Sequence, residues 1–160
     1  AQPARPLRAL AQRPPGRPVS GRRGVHYPVS ALAARAEEPR GLVPGTPAGG
    51  GRITLQGPGL DHHFAVGAYG SDAEERNELP GVALARARAR WGVDFAGADV
   101  LVIGDTPRDV ECGRAHGLTT VGVATGGYDA AELEAAGAHH VLSDFSDTLG
   151  VRELLSGPAV

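Results

Sequence analysis

Two aspartates, four residues apart, follow an apolar run in the second half of the chain. The run "DVLVIGD" (99–105) ends at Asp105, and "TPRD" then leads to Asp109. A continuous apolar run is typical of a strand buried on both faces, and function in open α/β sheets collects where such strands end. Two carboxylates that face one point beyond a strand end could hold Mg²⁺, which prefers hard oxygen ligands.

The same residues also fit a structural role. Thr106 is a good helix N-cap, Pro107 suits the first helical position, and Asp109 falls at the third. Asp109 could therefore complete a capping box with Thr106 and complement the helix dipole, while Asp105 could merely end a strand. Spacing alone does not choose between metal binding and helix capping.

Strands and helices alternate around this motif. Asp129 with Glu132 three residues later is a capping-box pattern, and Gly92 and Gly137 are helix stops. Alternation of short apolar runs with helices of about ten residues predicts βαβ units and a parallel sheet. The predicted strands lie at 64–68, 99–105, 118–127 and 139–144, and the predicted helices at 79–92, 106–117, 129–137 and 147–155.

The N-terminal third differs from the rest of the chain in composition. Pro and Gly recur too often in residues 1–51 for regular structure, so we expect a largely disordered or degraded segment with at most a short helix at 30–38. Residues 52–160 form the predicted folded part. Residues 1–41 carry eight arginines and two glutamates, a net charge of +6. This basic tail could touch nucleic acid, but no recognition motif accompanies it, and we do not expect that partner.

Composition narrows the class of protein. The 160 residues suit one domain, and Cys112, the single cysteine, permits neither an internal disulfide nor a zinc framework, so we predict a reduced, cytoplasmic setting. No apolar run approaches the roughly 18 residues of a membrane span. The chain has no Met, which predicts a fragment or a processed or partial gene product, and no Lys. The oligomeric state is not predicted.

The order of motifs from about residue 52 to 150 is more specific than the aspartate pair. The stretches "GLDHHFAVGAYGSDAEERNELP" (59–80) and "VLVIGDTPRDVECGRAHGLTTVGVATGGYDAAELEAAGAHHVLSDFSD" (100–147), with the spacing between them, carry the likeness. They resemble the haloacid dehalogenase-like (HAD) hydrolases, in particular the phosphoglycolate-phosphatase-like branch.

The resemblance implies a Mg²⁺-dependent phosphatase that acts on a small phosphate ester. In such enzymes an Asp at the end of the first strand attacks phosphorus, and an Asp two residues later is the general acid and base. A Thr or Ser after the second strand and a downstream Lys hold the phosphoryl oxygens. A late acidic motif, which "GDTPRD" resembles, holds the metal. Asp105 and Asp109 are thereby implied as metal-site residues, with Asp105 the better candidate for a direct ligand.

Several groups that the resemblance requires are missing. Residues 1–60 contain no Asp, so the nucleophile motif is absent and we predict no catalytic residue in this chain. Counting back from Gly59 places Pro44, Gly45 and Thr46 under the phosphate-holding Thr-Gly-Asn, and Thr54 under the Lys. Thr46 is thus the one candidate for substrate binding. The late "SDFSDT" (143–148) has D-x-x-D-T spacing, which does not match a nucleophile motif.

The implied fold is α/β, a partial three-layer, Rossmann-like parallel sheet in which the central nucleophile strand is missing. Two arrangements could close the gap. Either the 64–68 strand lies beside 100–103, or an N-terminal segment such as 24–30 takes the central place.

Other residues that could do chemistry have simpler interpretations. The pairs His62–His63 and His139–His140 border predicted strands, where surface or half-buried imidazoles are expected. Cys112 is expected to be a small buried side chain, and Trp91 a core or cap residue.

Three functions therefore remain open. The leading one is the C-terminal part of a HAD-like phosphatase, inactive alone. The second is a pseudo-enzyme that binds metal, a phosphate ligand or a protein partner. The third is a nucleic-acid binder.

Overall fold

The residues that the structure describes include a parallel sheet of six strands. The computed structural model describes residues 7–10, 39–45, 61–95 and 97–156. Every neighbouring pair of strands in these ranges is parallel, and the strand order is β3-β2-β1-β4-β5-β6. The strands are β1 (Leu7–Leu10), β2 (Arg40–Leu42), β3 (Val66–Gly67), β4 (Val100–Gly104), β5 (Thr119–Val123) and β6 (His140–Leu142).

Within the described ranges, four α-helices connect or follow these strands, close to where the sequence predicts them. They are α1 (Leu79–Trp91), α2 (Pro107–Arg114), α3 (Ala130–Ala135) and α4 (Thr148–Ser156), and short 3₁₀ turns lie at Asp61–His63, Arg76–Glu78 and Gly97–Asp99. The α1 helix ends as predicted at Gly92, whose φ of 68° is the left-handed conformation that glycine adopts without strain.

The core has two halves, one on each face of the sheet. Successive residues of β4 point to opposite faces, so Val100 and Val102 pack with α1 while Leu101 and Ile103 pack with Val151 of α4. Helices thus cover both faces of β4, which explains its unbroken apolar sequence. The predicted three-layer α/β fold with a Rossmann-like parallel sheet is confirmed.

The central position of the sheet is occupied. The β1 strand lies between β2 and β4, with Leu7 opposite Val100 and Leu10 opposite Ile103. An N-terminal segment therefore fills the gap, as one of the two predicted arrangements required, although the segment is 7–10 and not 24–30, which lies outside the described residues. The other arrangement is wrong, because β3 pairs with β2 at the edge of the sheet. Because β1 forms main-chain hydrogen bonds with strands on both sides, the sequence "LRAL" forms a strand although it has no strong local preference for one.

Two strands thus lie N-terminal to the predicted boundary at residue 52. The β1 and β2 strands give regular structure to seven residues for which none was predicted. The rest of 1–51, including the predicted helix at 30–38, lies outside the described residues apart from a few residues beside β2, so its disorder and the domain boundary stay predictions. In the part of the chain that the structure describes, no helix combines the length and the apolar character that crossing a bilayer requires.

Candidate functional site

The loops at the carboxyl ends of the strands gather at one edge of the sheet, because all strands are parallel. Asp105 follows β4, the segment 43–45 follows β2, and the segment 68–75 leads from β3 to the 3₁₀ turn that contains Arg76. The candidate metal-site residues Asp105 and Asp109 and the segment that leads to Arg76 therefore lie at this edge.

The start of α2 fixes Asp109. Thr106 caps the helix with extended backbone angles, and its Oγ1 accepts from the Asp109 N–H at 3.3 Å. Asp109 Oδ2 in turn accepts from the Thr106 N–H at 3.1 Å and from the Thr106 hydroxyl at 2.9 Å. The predicted capping box is confirmed. It occupies one carboxylate oxygen of Asp109 and supports the strand-to-helix turn that presents Asp105.

An arginine holds the other oxygen of this carboxylate. Arg76 Nη2 donates to Asp109 Oδ1 in an ion pair in which the aspartate side chain is only 3 % exposed and the arginine 26 %. The Asp109 side chain also packs closely against the end of β4, where a Cβ at Gly104 would collide with it. Both oxygens of Asp109 are thus engaged by protein donors.

The Arg76 guanidinium also contacts the loop after β2. A Cβ at Gly45 would collide with Arg76 Nη1, so the guanidinium lies directly against the main chain of that glycine. The loops after β2 and β4 flank β1 in the sheet. Arg76 therefore bridges the two loops that border the carboxyl end of the central strand, where the resemblance implies the nucleophile.

Asp105 lies against the loop after β5. Its side chain is half-buried, and a Cβ at Gly126 would collide with Asp105 Oδ2 and lie 2.9 Å from its Cγ. The glycine is therefore needed for the main chain to approach this carboxylate so closely. The loops after four strands, β2, β3, β4 and β5, thus contribute to the environment of Asp105, Asp109 and Arg76.

A second ion pair ties down the segment that leads to Arg76. Arg86 of α1 donates to both carboxylate oxygens of Asp72, at 2.7 and 2.8 Å, and also to the carbonyl of Gly67 at 2.6 Å. The Tyr69 N–H donates to Asp72 at 2.8 Å. The Arg86 hydrogen bonds, with a smaller effect of the Tyr69 N–H, lower the pKa of Asp72 to about 2.

This lowered pKa predicts a pH effect on stability. Asp72 binds its proton more weakly in the folded than in the unfolded chain, so its contribution is complete above the ordinary pKa of 3.8 and is lost as the pH falls through about 2. Asp72→Asn should therefore flatten the loss of stability between these pH values, by a small amount because the pair is open to solvent. Urea denaturation across this range measures it, with Asp94→Asn, which removes a single exposed ion pair to Arg88, as the control. An unchanged acid profile for Asp72→Asn would contradict the assignment.

The structure describes only some of the predicted site residues. Asp105 and Asp109 lie at the same strand end as predicted. Thr46 and Thr54 lie outside the described residues. Gly45, which the alignment places in the phosphate-holding segment, does follow a strand that flanks β1.

Sequence reasoning missed Arg76, because it looked for a lysine. A signal was available, since Arg76 is the only arginine between positions 53 and 85 and follows the first predicted strand, 64–68.

The remaining candidates have structural roles. Cys112 is buried as predicted, and Trp91 packs edge-on against Phe95 with ring centroids 6.2 Å apart. His139 Nδ1 accepts from the Thr120 N–H at 3.0 Å and so ties β6 to β5. Within the described ranges, no three His, Cys, Asp or Glu side chains cluster as a ready-made metal cage.

Comparisons with known proteins agree with the fold and the motif order. Residues 80–148 match the family model described as HAD-hydrolase-like, which confirms the resemblance on that segment. A search of curated proteins gave no match.

Solved structures cover more of the chain. A predicted phosphatase from Clostridium acetobutylicum has a TM-score of 0.68 at 18% identity, covering 82% of this chain and 58% of its own. A predicted phosphoglycolate phosphatase from Haemophilus somnus has a TM-score of 0.65 at 22% identity (80% and 55%). A hydrolase from Pseudomonas syringae has a TM-score of 0.65 at 24% identity (81% and 57%).

These similarities show a HAD-like fold. The chain spans somewhat more than half the length of each of these structures.

Proposed function

We propose that this chain carries the metal- and phosphate-binding part of a HAD-like phosphatase, an enzyme for a small phosphate ester, and that its 160 residues do not hydrolyse the ester alone. The observation that carries the proposal is the Arg76–Asp109 pair, which bridges the loops on either side of β1 beside Asp105. The family match and the solved structures support the class of reaction.

The donor set at the end of β4 fits Mg²⁺. This ion is usually bound by one or two carboxylates and keeps several waters, so it needs no dense cluster of side chains. Asp105 would be the direct ligand. Asp109, whose two oxygens accept from Thr106 and Arg76, would be a metal-site residue that supplies negative charge beside the ion. The bound metal would neutralise charge on the phosphoryl group and orient it.

Arg76 would supply the cation that the missing lysine cannot. A guanidinium presents five N–H donors in a planar fork that suits phosphoryl oxygens. Within the described part of the chain, Arg76 Nε is buried and has no hydrogen-bond partner. The protein itself therefore leaves one donor of the fork unused, and a buried donor without a partner costs stability.

The proposed lack of turnover follows from the missing nucleophile. In sequence, β1 is followed by Ala11 and Gln12, and residues 1–60 contain no aspartate. Without a carboxylate to attack phosphorus, the aspartyl-phosphate route does not exist. Other groups at the site can bind and orient a phosphate but cannot replace that bond-forming atom.

The proposal predicts binding without hydrolysis. The purified chain should bind Mg²⁺ in titration calorimetry and show no Mg²⁺-dependent release of product from p-nitrophenyl phosphate. Asp105→Asn should abolish Mg²⁺ binding, whereas Asp94→Asn should leave it unchanged, because Asp94 is 74 % exposed and precedes β4, away from the carboxyl edge. A Mg²⁺-dependent rate, or Mg²⁺ binding that survives Asp105→Asn, would contradict the proposal.

A second candidate is a non-catalytic module that uses the same site to bind a metal, a phosphate ligand or a protein partner. The retained pair of Arg76 and Asp109 beside Asp105 favours it as well, since binding needs no nucleophile. The coding DNA upstream and the alternative frames through residues 1–50 distinguish the two. A D-x-D-x-T motif followed by T-G-N would indicate that the parent protein is an ordinary phosphatase. We propose a cytoplasmic setting for both candidate functions.

A further inference from the structure

One face of α2 and the turn after it holds the segment that presents Arg76. Asp109, Cys112 and His116 are spaced by three and four residues, so they project from the same side of the helix. All three contact the 3₁₀ turn Arg76–Glu78. Only the first of these contacts involves the arginine side chain, and the other two involve the main chain of the turn.

The two main-chain contacts are hydrogen bonds in which α2 and its C-terminal turn donate. Cys112 Sγ–H donates to the carbonyl of Arg76 at 3.2 Å. His116 Nε2 lies 2.6 Å from the carbonyl oxygen of Asn77. Because a carbonyl oxygen only accepts, Nε2 must carry the hydrogen in this contact.

The surroundings of both donors are consistent with this role. Cys112 is 2 % exposed, and burial raises the pKa of its thiol to about 11, so the thiol keeps its proton at neutral pH and can donate. The His116 ring lies over Gly81 at the start of α1, where an added Cβ would lie 3.0 Å from its Cε1. The glycine leaves room for the ring to reach Asn77.

We infer that His116 and Cys112 are positioning residues for Arg76. They fix the main chain of Arg76 and Asn77 to α2, and the guanidinium then reaches both Asp109 and Gly45. An arginine side chain loses much rotamer freedom when it is held in one geometry, and a fixed main chain reduces the number of arrangements that remain. The inference deepens the proposed function, and rests on it for the role of Arg76 in binding phosphate.

Phosphate binding with matched variants tests this role. Inorganic phosphate is titrated into the chain in the presence of Mg²⁺. His116→Met keeps the length of the side chain and removes the donor, and it should weaken the affinity about fivefold, the effect of one hydrogen bond. His116→Gln keeps an N–H donor at a similar reach and should restore most of that loss. For Cys112, Cys112→Ala removes the donor and Cys112→Ser keeps one, so this pair of variants serves the same purpose.

The outcomes separate positioning from packing. Equal phosphate affinities for His116→Met, His116→Gln and the wild type would overturn the inference, even if the melting temperatures differ.

A second measurement needs no ligand. A double-mutant cycle of His116→Met with Arg76→Gln is followed through the equilibrium constant of unfolding in urea. Coupling larger than about twofold supports the inference, and additive effects overturn it. If the wild-type chain fails to bind phosphate, the proposed role of Arg76 fails while this cycle still decides the inference.

Discussion

Asp109→Ala is expected to lower the free energy of unfolding by about 3 kcal/mol, because it breaks a pair whose carboxylate is buried and leaves the cation without its partner. Three interactions disappear together: the ion pair with Arg76, and the hydrogen bonds from the Thr106 N–H and hydroxyl. Urea denaturation monitored by circular dichroism measures the change, provided that the slope with denaturant stays the same.

The chain contains a matched control for the capping contribution. Glu132 holds the same third helical position in the capping box of α3, where it accepts from the Asp129 N–H at 2.8 Å. That box is exposed, and Glu132→Ala should cost about 1 kcal/mol or less. If Asp109→Ala and Glu132→Ala cost the same, the Arg76 pair contributes little and Asp109 is a helix cap alone.

The part of the site that the sequence predicted is the part that local rules determine. The turn from β4 into α2 was predicted with its cap because the capping interactions of Thr106 and Asp109, with Pro107 between them, lie within four residues of sequence. The capping box of α3 and the stop of α1 at Gly92 follow from equally short patterns. Such signals are complete within a single turn of helix, so no knowledge of the rest of the fold is needed.

The strands β1 and β2 depend on partners far away in the sequence. Each has only three or four residues, and each contains an arginine. Arg40 is 7 % exposed in the structure, a degree of burial that is rare for arginine and that no local rule predicts. Strand formation here follows from pairing between β1 and β4 across about ninety residues, and composition alone cannot reveal it.

The Arg76–Asp109 pair escaped prediction for a related reason. The two residues are separated by 33 positions, and two glutamates directly precede the arginine, so its charge appears locally compensated. Only the meeting of the loops after β2, β3 and β4 at one edge shows which carboxylate the arginine pairs with. The family resemblance directed attention to a lysine, and the chain has none.

Arg76→Gln is the substitution with the largest expected effect on phosphate binding. Hydrogen bonds from a charged group to an oxyanion contribute more than neutral ones, so the affinity for inorganic phosphate should fall at least about tenfold. Arg76→Lys keeps the charge without the planar fork and should give an intermediate affinity. Titration calorimetry with Mg²⁺ present measures both variants. Circular dichroism must first show that they are folded, because the substitution also leaves Asp109 buried without its cation.

Arg88→Gln is the appropriate control for loss of one positive charge. Its side chain is 68 % exposed on α1 and pairs with Asp94, close to the start of β4 and not to the carboxyl edge of the sheet. If the attraction of phosphate depended only on net charge, Arg76→Gln and Arg88→Gln would weaken binding equally, and more so at low salt. A loss confined to Arg76→Gln, with Arg76→Lys in between, would instead require donors held at a fixed place, which is what the contacts with Asp109 and Gly45 provide.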